Sequence, residues 1–181
     1  MTTAARDAAL MARVVEGDHD AFGELMSSCE DRVFSVCLRI VGDRETALDA
    51  VQDTFLTTFR KAHQFKGKST FATWAHRIAV NTCYDLLRKR KRRAADSMPE
   101  GLDPADPSAQ EAVEAAGLRP EIHRALATLP PKFRSAVVLA DIEGMSLPDA
   151  AKALGAPLGT VKSRVFRARR MLAAELGNQE G

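Results

Sequence analysis

The 181-residue sequence contains few aromatic residues and few cysteines, and it has no long apolar run. Phe, Trp and Tyr make up only 6% of the chain, and Ala, Leu, Arg and Glu dominate, a composition that favours packed helices over sheets. No stretch approaches the roughly 20 apolar residues that a membrane span needs, and the N-terminus lacks the apolar core of a signal peptide. We therefore expect an all-α protein that is cytoplasmic and does not insert into a membrane.

The three cysteines and four histidines form no recognisable site. Cys29, Cys37 and Cys83 lack C-x-x-C spacing and sit in apolar or helical contexts, which favours reduced thiols in a core. A redox switch or a zinc site is the alternative. The histidines are scattered, and the GxSxG, P-loop and HExxH patterns are absent. We therefore expect no catalysis, no cofactor, no metal and no small-molecule substrate.

Charge is distributed unevenly and divides the chain into three parts. Residues 1–93 contain sixteen Lys and Arg against twelve Asp and Glu, and residues 119–181 contain ten against six. Residues 94–118 contain six acids, three prolines and no Lys or Arg, and they have too little apolar surface to pack. We predict two small helical domains, 1–93 and 119–181, joined by a flexible acidic linker, 94–118. The excess positive charge of the two domains favours a polyanionic partner.

Helical spacing of apolar residues recurs through the N-terminal domain. It predicts a helix over about 7–16, a second that is capped by Asp20 and ends before Gly42, a third over about 45–62, and a fourth from about Thr70 into the basic run 88–93. The polar segment 63–70 has a central glycine and is predicted to be a loop. The third helix is expected to turn these apolar residues inward: Ala47, Leu48, Val51, Phe55, Leu56 and Phe59.

The C-terminal domain ends in a helix-turn-helix pattern. Ser146 and Asp149 have the spacing of a capping box, and Gly155 suits the left-handed turn that ends a helix. One side of the next helix is apolar and is expected to face the core: Leu158, Val161, Val165, Ala168 and Leu172. Polar, basic and aromatic residues occupy the opposite and flanking sides: Lys162, Ser163, Arg164, Phe166, Arg167 and Arg170.

Phe166 is the most informative residue of this helix. An aromatic side chain on the face farthest from the core contributes little to folding, whereas it can pack against thymine methyls in a major groove. Arg167 beside it can reach guanine O6 and N7 or a phosphate. The alternative is a solvated basic helix with Phe166 under a neighbouring segment. Helix, glycine-containing turn and basic second helix together predict DNA binding.

Four ordered blocks of the sequence resemble the extracytoplasmic-function sigma factors of the sigma-70 family. The blocks are Asp49–Phe55, Phe65–Asn81, Leu129–Val138 and the helix-turn-helix from about Ala153 to Arg169. The resemblance covers residues 8–175 in order and spacing. It implies a region 2 helical bundle, a region 4 helix-turn-helix, and the function of an alternative sigma factor that binds core RNA polymerase and directs it to promoters.

The resemblance also implies roles for individual residues. Asp49, Gln52 and Asp53 match the helix that binds the β′ clamp helices of core polymerase, whose β flap is a further expected contact. Positions that recognise and open the minus-10 promoter element are matched by Phe65, Lys66, Gly67, Lys68, Ser69, Trp74, Arg77 and Asn81. Trp74 also fits a core position. Positions that face the minus-35 element are matched by Lys162, Ser163, Arg164, Phe166, Arg167 and Arg170.

An anti-sigma factor is a further partner that the resemblance implies. The sequence departs from the commonest family pattern at Leu147-Pro148, where an aromatic residue and an acid are more usual. The main rival is a stand-alone helix-turn-helix regulator, which would dimerise and bind an operator without polymerase. The blocks Asp49–Phe55 and Phe65–Asn81 favour the sigma factor, because a lone helix-turn-helix does not need them.

Overall fold

The computed structural model describes residues 1–96, 117 and 119–177, which contain nine α-helices, a short 3₁₀ helix at Ala62–Gln64 and a π-helix at Val138–Ile142. The N-terminal domain contains α1 Thr3–Val15, α2 His19–Ser27, α3 Glu30–Val41, α4 Arg44–Arg60 and α5 Phe71–Asp96. The C-terminal domain contains α6 Pro120–Thr128, α7 Pro131–Val137, α8 Leu147–Leu154 and α9 Leu158–Gly177. The described residues include no strand, which confirms the all-α prediction, and none of their helices is long and apolar enough to cross a membrane.

Asp18, rather than the predicted Asp20, caps the second helix. Gly17 has a φ of 97°, a left-handed conformation that favours glycine, and the chain is extended at Asp18. From there Asp18 Oδ1 accepts a hydrogen bond from the Ala21 amide at 3.0 Å. The prediction was wrong by two residues because the conformation of Gly17 moves the start of α2 towards the N-terminus.

The segment predicted as one long second helix is divided into α2 and α3. Ser28 Oγ donates a hydrogen bond to the Leu25 carbonyl at 2.6 Å, which uses one of the carbonyl groups at the end of α2. Cys29 then leaves helical geometry, with a φ of −143°, and α3 starts at the next residue. The apolar spacing runs through this break, so periodicity alone does not predict it.

All three cysteines lie in the core of the N-terminal domain, in agreement with the interpretation as reduced thiols. Burial raises the pKa of Cys29 to about 11. A hydrogen bond with the Cys83 thiol raises the pKa of Cys37, and burial acts in the same direction. Cys29 and Cys37 are therefore protonated at neutral pH and are poor nucleophiles.

The helix-turn-helix is formed by α8 and α9 as predicted. Ser146 Oγ accepts a hydrogen bond from the Asp149 amide at 3.2 Å and donates one to the Asp149 carboxylate at 2.8 Å. Gly155 ends α8 with a φ of 59°. The middle of the predicted apolar side of α9 is buried, whereas Leu158 in its first turn is 39% exposed.

The C-terminal domain packs against the end of α3. Each of the carbonyl groups of residues 40–42 accepts a hydrogen bond from a basic side chain. Arg90 Nη2 donates to residue 41 at 3.2 Å, His123 Nε2 bonds residue 42 at 3.1 Å, and Arg134 Nη1 bonds residue 40. Arg134 Nη2 also donates to carbonyls 127 and 129 of its own domain, both at 2.9 Å. His123 and Arg134 belong to the C-terminal domain, so their bonds to the end of α3 join the two domains. The guanidinium groups of Arg90 and Arg134 also suit the negative end of the α3 dipole.

Other polar contacts strengthen this junction. Glu143, after α7, pairs with Arg32 at 3.1 Å and with Arg39 at 3.6 Å, both on α3. Tyr84 of α5 hydrogen-bonds Ser135 of α7, and the buried apolar residues of both domains form one continuous core. Helix α5 extends three residues into the predicted linker, to Asp96, and most of that linker lies outside the described residues.

Candidate nucleic-acid interface

A cavity of about 770 Å³ lies where the loop after α4 meets the start of α5. The loop contains the left-handed Gly67, with a φ of 65°. All eight residues that the sequence predicts for minus-10 recognition line this cavity. They are Phe65, Lys66, Gly67, Lys68, Ser69, Trp74, Arg77 and Asn81. The structure therefore brings together residues that are up to 16 positions apart in the sequence.

Aromatic side chains form one wall of the cavity. The rings of Phe65 and Trp74 are 5.3 Å apart between centroids and are tilted by 56°. Behind them lies the fully buried Phe71, whose ring centroid is 6.5 Å from that of Phe65 and 6.2 Å from that of Trp74. Trp74 is half-buried, so it packs on the core and also presents part of its ring to the cavity.

The cavity is positively charged. Its lining includes five cationic side chains and, among the described residues, no acidic one. Arg77 and Asn81 are exposed on successive turns of α5, so a guanidinium and an amide face the same space. The combination of stacking surface, positive charge and amide hydrogen-bonding groups suits a single-stranded nucleic acid.

Sequence reasoning missed Lys152, a lining residue that belongs to the C-terminal domain. It lies on α8, which packs against α5 and brings the lysine to the cavity rim. No sequence signal points to it, because exposed lysines are common on helices and its position depends on how the domains pack. Three other lining residues that are not predicted, Gln64, Thr73 and Ile78, adjoin predicted ones in the sequence, and Lys61 lies four positions before Phe65.

Helix α9 presents a second basic surface. Phe166 is 62% exposed, and the guanidinium of Arg170 lies 6.0 Å from the centre of its ring. Lys162, Ser163 and Arg167 are also exposed. Phe166 is therefore not covered by a neighbouring described segment, as the alternative interpretation required.

Arg164 is placed apart from the other predicted residues of α9. Its side chain is half-buried and lies near Tyr84 of α5, where its positive charge partly offsets the burial that raises the pKa of this tyrosine. Arg169, which was not among the predicted site residues, is held by Asp141 through two hydrogen bonds of 2.7 and 2.6 Å. The exposed basic face of α9 thus contains fewer unpaired cations than the sequence indicates, because Arg164 is half-buried and Arg169 is paired with Asp141.

Leu147-Pro148, the pair that departs from the commonest family pattern, begins α8 beside the basic face of α9. Leu147 lines a cleft of about 410 Å³ together with Met145, Lys162 and Phe166. Pro148 falls in the first turn of α8, where a missing amide hydrogen is tolerated. The unusual pair therefore leaves the fold intact and changes the surface next to Phe166.

Helix α4 exposes a mixed acidic and apolar surface. Asp49, Gln52 and Asp53 are exposed, in agreement with their prediction as surface residues. Three apolar residues that were predicted to face inward lie on the same outer side: Leu48, Leu56 and Phe59, which are 43%, 45% and 38% exposed. This prediction was wrong.

Buried threonines on the inner side of α4 help to explain why Leu48, Leu56 and Phe59 lie on its outer side. Thr54 and Thr58 are fully buried, and their hydroxyl groups tolerate this because they donate to the carbonyls of Ala50 and Phe55, at 2.6 and 2.8 Å. Ala47, Ala50 and the two bonded threonines thus occupy the inner side of α4 together with Phe55. Larger apolar residues remain outside, where they form an exposed patch beside two acids.

Comparison with known proteins identifies the family. Residues 25–93 match the sequence profile of sigma-70 region 2, and residues 119–172 match that of sigma-70 region 4. The RNA polymerase sigma-H factor of Pseudomonas aeruginosa is 37% identical over 179 residues, 93% of this chain and 93% of that protein. The ECF RNA polymerase sigma factor SigE of Mycolicibacterium smegmatis is 39% identical over 155 residues, which are 84% of this chain but only 60% of that protein.

The chain belongs to the extracytoplasmic-function sigma factors. Solved structures with the same fold include two sigma factors in complexes. CnrH in complex with the cytosolic domain of CnrY superimposes with a TM-score of 0.73 at 26% identity, covering 96% of this chain and 98% of CnrH. The sigma factor RpoE in complex with the anti-sigma factor NepR from Bartonella quintana gives a TM-score of 0.70 at 29% identity, covering 86% and 96%.

The family profiles cover both basic surfaces of this sigma factor. The region 2 match begins inside α2 and ends at Arg93, so it contains α4 and the cavity-lining residues of the N-terminal domain. The region 4 match contains the helix-turn-helix and extends to Leu172 of α9. Helix α1 lies outside both matches.

Proposed function

We propose that this sigma factor binds core RNA polymerase and starts transcription by using its two basic surfaces on different promoter elements. Domain 1–93 recognises and melts the minus-10 element, domain 119–181 holds the minus-35 duplex, and residues 94–118 connect them. The composition of the cavity at α5 carries the proposal, because stacking rings, cations and an amide meet there in one space.

The cavity provides what the capture of an extruded base needs. A base that leaves the stack loses a few kcal/mol of stacking and pairing, which a new aromatic surface and new hydrogen bonds offset. Phe65 and Trp74 supply the surface, and the Asn81 amide can both donate and accept at a base edge. Lys66, Lys68 and Arg77 surround the space with positive charge for the phosphates.

The exposed side of α9 suits a duplex instead. Because it is convex and helical, it can enter a major groove, where Phe166 contacts thymine methyls and Arg167 contacts guanine or phosphate. Lys162, Ser163 and Arg170 flank these residues.

Other partners follow from the remaining exposed surfaces and from the relatives. The acidic and apolar side of α4, around Asp49, Gln52 and Asp53, is the proposed contact with the β′ clamp helices, and the C-terminal domain would meet the β flap. An anti-sigma factor is expected, since a solved relative is bound to one. We expect this sigma factor to act in the cytoplasm and to have no catalytic activity of its own.

The test of the proposed function is promoter-dependent transcription. Core polymerase with this chain should initiate at a discrete set of promoters in a genomic DNA library, and core alone should not. A stand-alone regulator would instead dimerise and bind duplex DNA tightly without core. Discrete duplex binding by the isolated chain, with no gain of initiation by core, would contradict the proposal.

Substitutions should separate the two DNA surfaces. Arg167→Ala should weaken binding of holoenzyme to minus-35 duplex by about 1–3 kcal/mol, the usual loss for a base-contacting arginine. Asn81→Ala should slow promoter opening while duplex binding is kept. Gel shift with minus-35 duplex and permanganate reactivity at the minus-10 element measure the two effects. Met171→Ala is the matched control on α9, because Met171 is 43% exposed and is not one of the proposed contacts.

A further inference from the structure

Asp7 of α1 is buried and makes a hydrogen bond to the start of α5. Asp7 is only 5% exposed, and its Oδ2 accepts a hydrogen bond from the Phe71 amide at 2.8 Å. These residues are 64 positions apart. Asp7 also lies outside the family match to region 2, which begins at residue 25.

The hydrogen bond to Asp7 adds a cap at the N-terminal end of α5. Thr70 Oγ1 accepts the amide of Thr73 at 3.2 Å, and the Thr70 carbonyl accepts the amide of Trp74 at the same distance. The amide of Phe71 precedes both and is bonded by Asp7. A carboxylate at this end is also favoured by the helix dipole. Local sequence thus bonds two of the first amides of α5, and α1 bonds a third.

Helix α1 also supports the loop that borders the cavity. Gly67 lies so close to α1 that a Cβ atom there would be 3.1 Å from the Cβ of Ala8, the residue after Asp7. Phe71, whose amide Asp7 holds, has its ring behind Phe65 and Trp74. Two adjacent residues of α1 therefore approach the segment between Phe65 and Trp74 at two points, Gly67 and Phe71.

We propose that Asp7 is a positioning residue for minus-10 recognition, because it fixes the first turn of α5 and thereby the stacking wall formed by Phe65 and Trp74. This inference rests on the proposed function of the cavity. It assigns a function in base capture to α1, at a distance from the DNA. Asp7 itself does not line the cavity.

Trp74 provides a direct readout, because it is the only tryptophan in the chain. In the free protein, Asp7→Ala should change the emission maximum of Trp74 and its quenching by iodide. Asp7→Asn should keep the wild-type values, because an amide oxygen can accept the same hydrogen bond. Asp18→Ala is the matched control, since it removes the aspartate that caps α2.

The second readout is binding of holoenzyme to a single-stranded oligonucleotide that carries the non-template minus-10 sequence of a promoter found in the transcription test. Asp7→Ala should weaken this binding about tenfold, the loss expected when a helix cap is removed. Asp7→Asn should restore it to within about twofold, as a polar cap replaces another. Affinity for core polymerase and for minus-35 duplex should be unchanged in all variants.

The outcomes separate this inference from the proposed function. If wild-type holoenzyme does not bind the oligonucleotide, both fail. If wild type binds it and Asp7→Ala binds equally well, or loses no more than Asp18→Ala, the positioning role alone is wrong. Should Asp7→Ala not fold, the same result is required of Asp7→Ser, which keeps a polar atom but cannot reach the Phe71 amide.

Discussion

The two proposed DNA-binding surfaces differ in how the chain builds them. The surface on α9 comes from one helix, whose boundaries and exposed face are set by nearby residues such as Gly155 and Val161. The cavity is assembled from a loop, the start of α5 and a lysine of α8, and it is supported from behind by α1. A duplex can be bound by a locally formed helix, whereas an extruded base needs a concave site that only tertiary packing provides.

The largest effect is expected when the bonds that hold the two domains, and so the two DNA-binding surfaces, together are removed. Arg134 is 8% exposed and bonds carbonyls of both domains, so Arg134→Met should lower the free energy of unfolding by about 2–3 kcal/mol, since hydrogen bonds to charged groups contribute strongly. Urea unfolding measures the change. We expect the single transition to split into two. Arg124→Met, at an exposed position of α6, is the control. If Arg134→Met unfolds in urea like the wild type, Arg134 does not hold the two domains together.

A smaller effect is expected at the loop of the cavity. Gly67→Ala introduces a residue with a Cβ at a φ of 65° and 3.1 Å from Ala8, at a cost of about 1–2 kcal/mol. Promoter opening should fall about tenfold, with minus-35 duplex binding unchanged. Permanganate footprinting and gel shift measure the two. Gly23→Ala should have no effect on either, because Gly23 lies within α2 and nothing is within 4 Å of the added Cβ.

The smallest effect concerns pH at the junction of the domains. Burial lowers the pKa of His123 below its usual 6.5, Arg134 and Arg39 act in the same direction, and the bond to the Gly42 carbonyl opposes them. The neutral form therefore favours domain contact. The stabilisation of the domain contact by neutral His123 is complete above pH 6.5. It is lost as pH falls from 6.5 through the lower pKa that His123 has when the domains are in contact. Energy transfer between dyes on the two domains should decrease at pH 5.5.

His123→Gln is the control for the pH experiment. Its amide can still donate to the Gly42 carbonyl, but it does not titrate in this range. The variant should lose part of the pH dependence, and the rest should come from His76, whose pKa is also lowered by burial. Equal pH dependence in wild type and His123→Gln would show that His123 does not contribute.

The sequence predicts the features that depend on neighbours along the chain. The helix-turn-helix, its Ser146 cap and the exposure of Phe166 follow from spacing and turn chemistry, and the structure agrees. The residues around the cavity were found through the family resemblance, which supplies long-range information that periodicity lacks.

The sequence fails where burial depends on packing between helices. Hydrophobicity predicts Leu56 and Phe59 to lie in the core, whereas Phe55 and two threonines with bonded hydroxyls occupy the inner side of α4. The cap from Asp7 and the approach of Lys152 join segments that are more than 60 residues apart. No local pattern encodes such contacts.

Site-specific crosslinking tests most directly whether the two surfaces contact different promoter elements. A photoreactive phenylalanine analogue at position 65 or 166 would be introduced into this sigma factor, assembled with core polymerase and irradiated on a promoter. We expect crosslinks from position 65 to the non-template strand of the minus-10 element and from position 166 to the minus-35 duplex. Crosslinks from both positions to the same element, or an unchanged pattern without core polymerase, would contradict it.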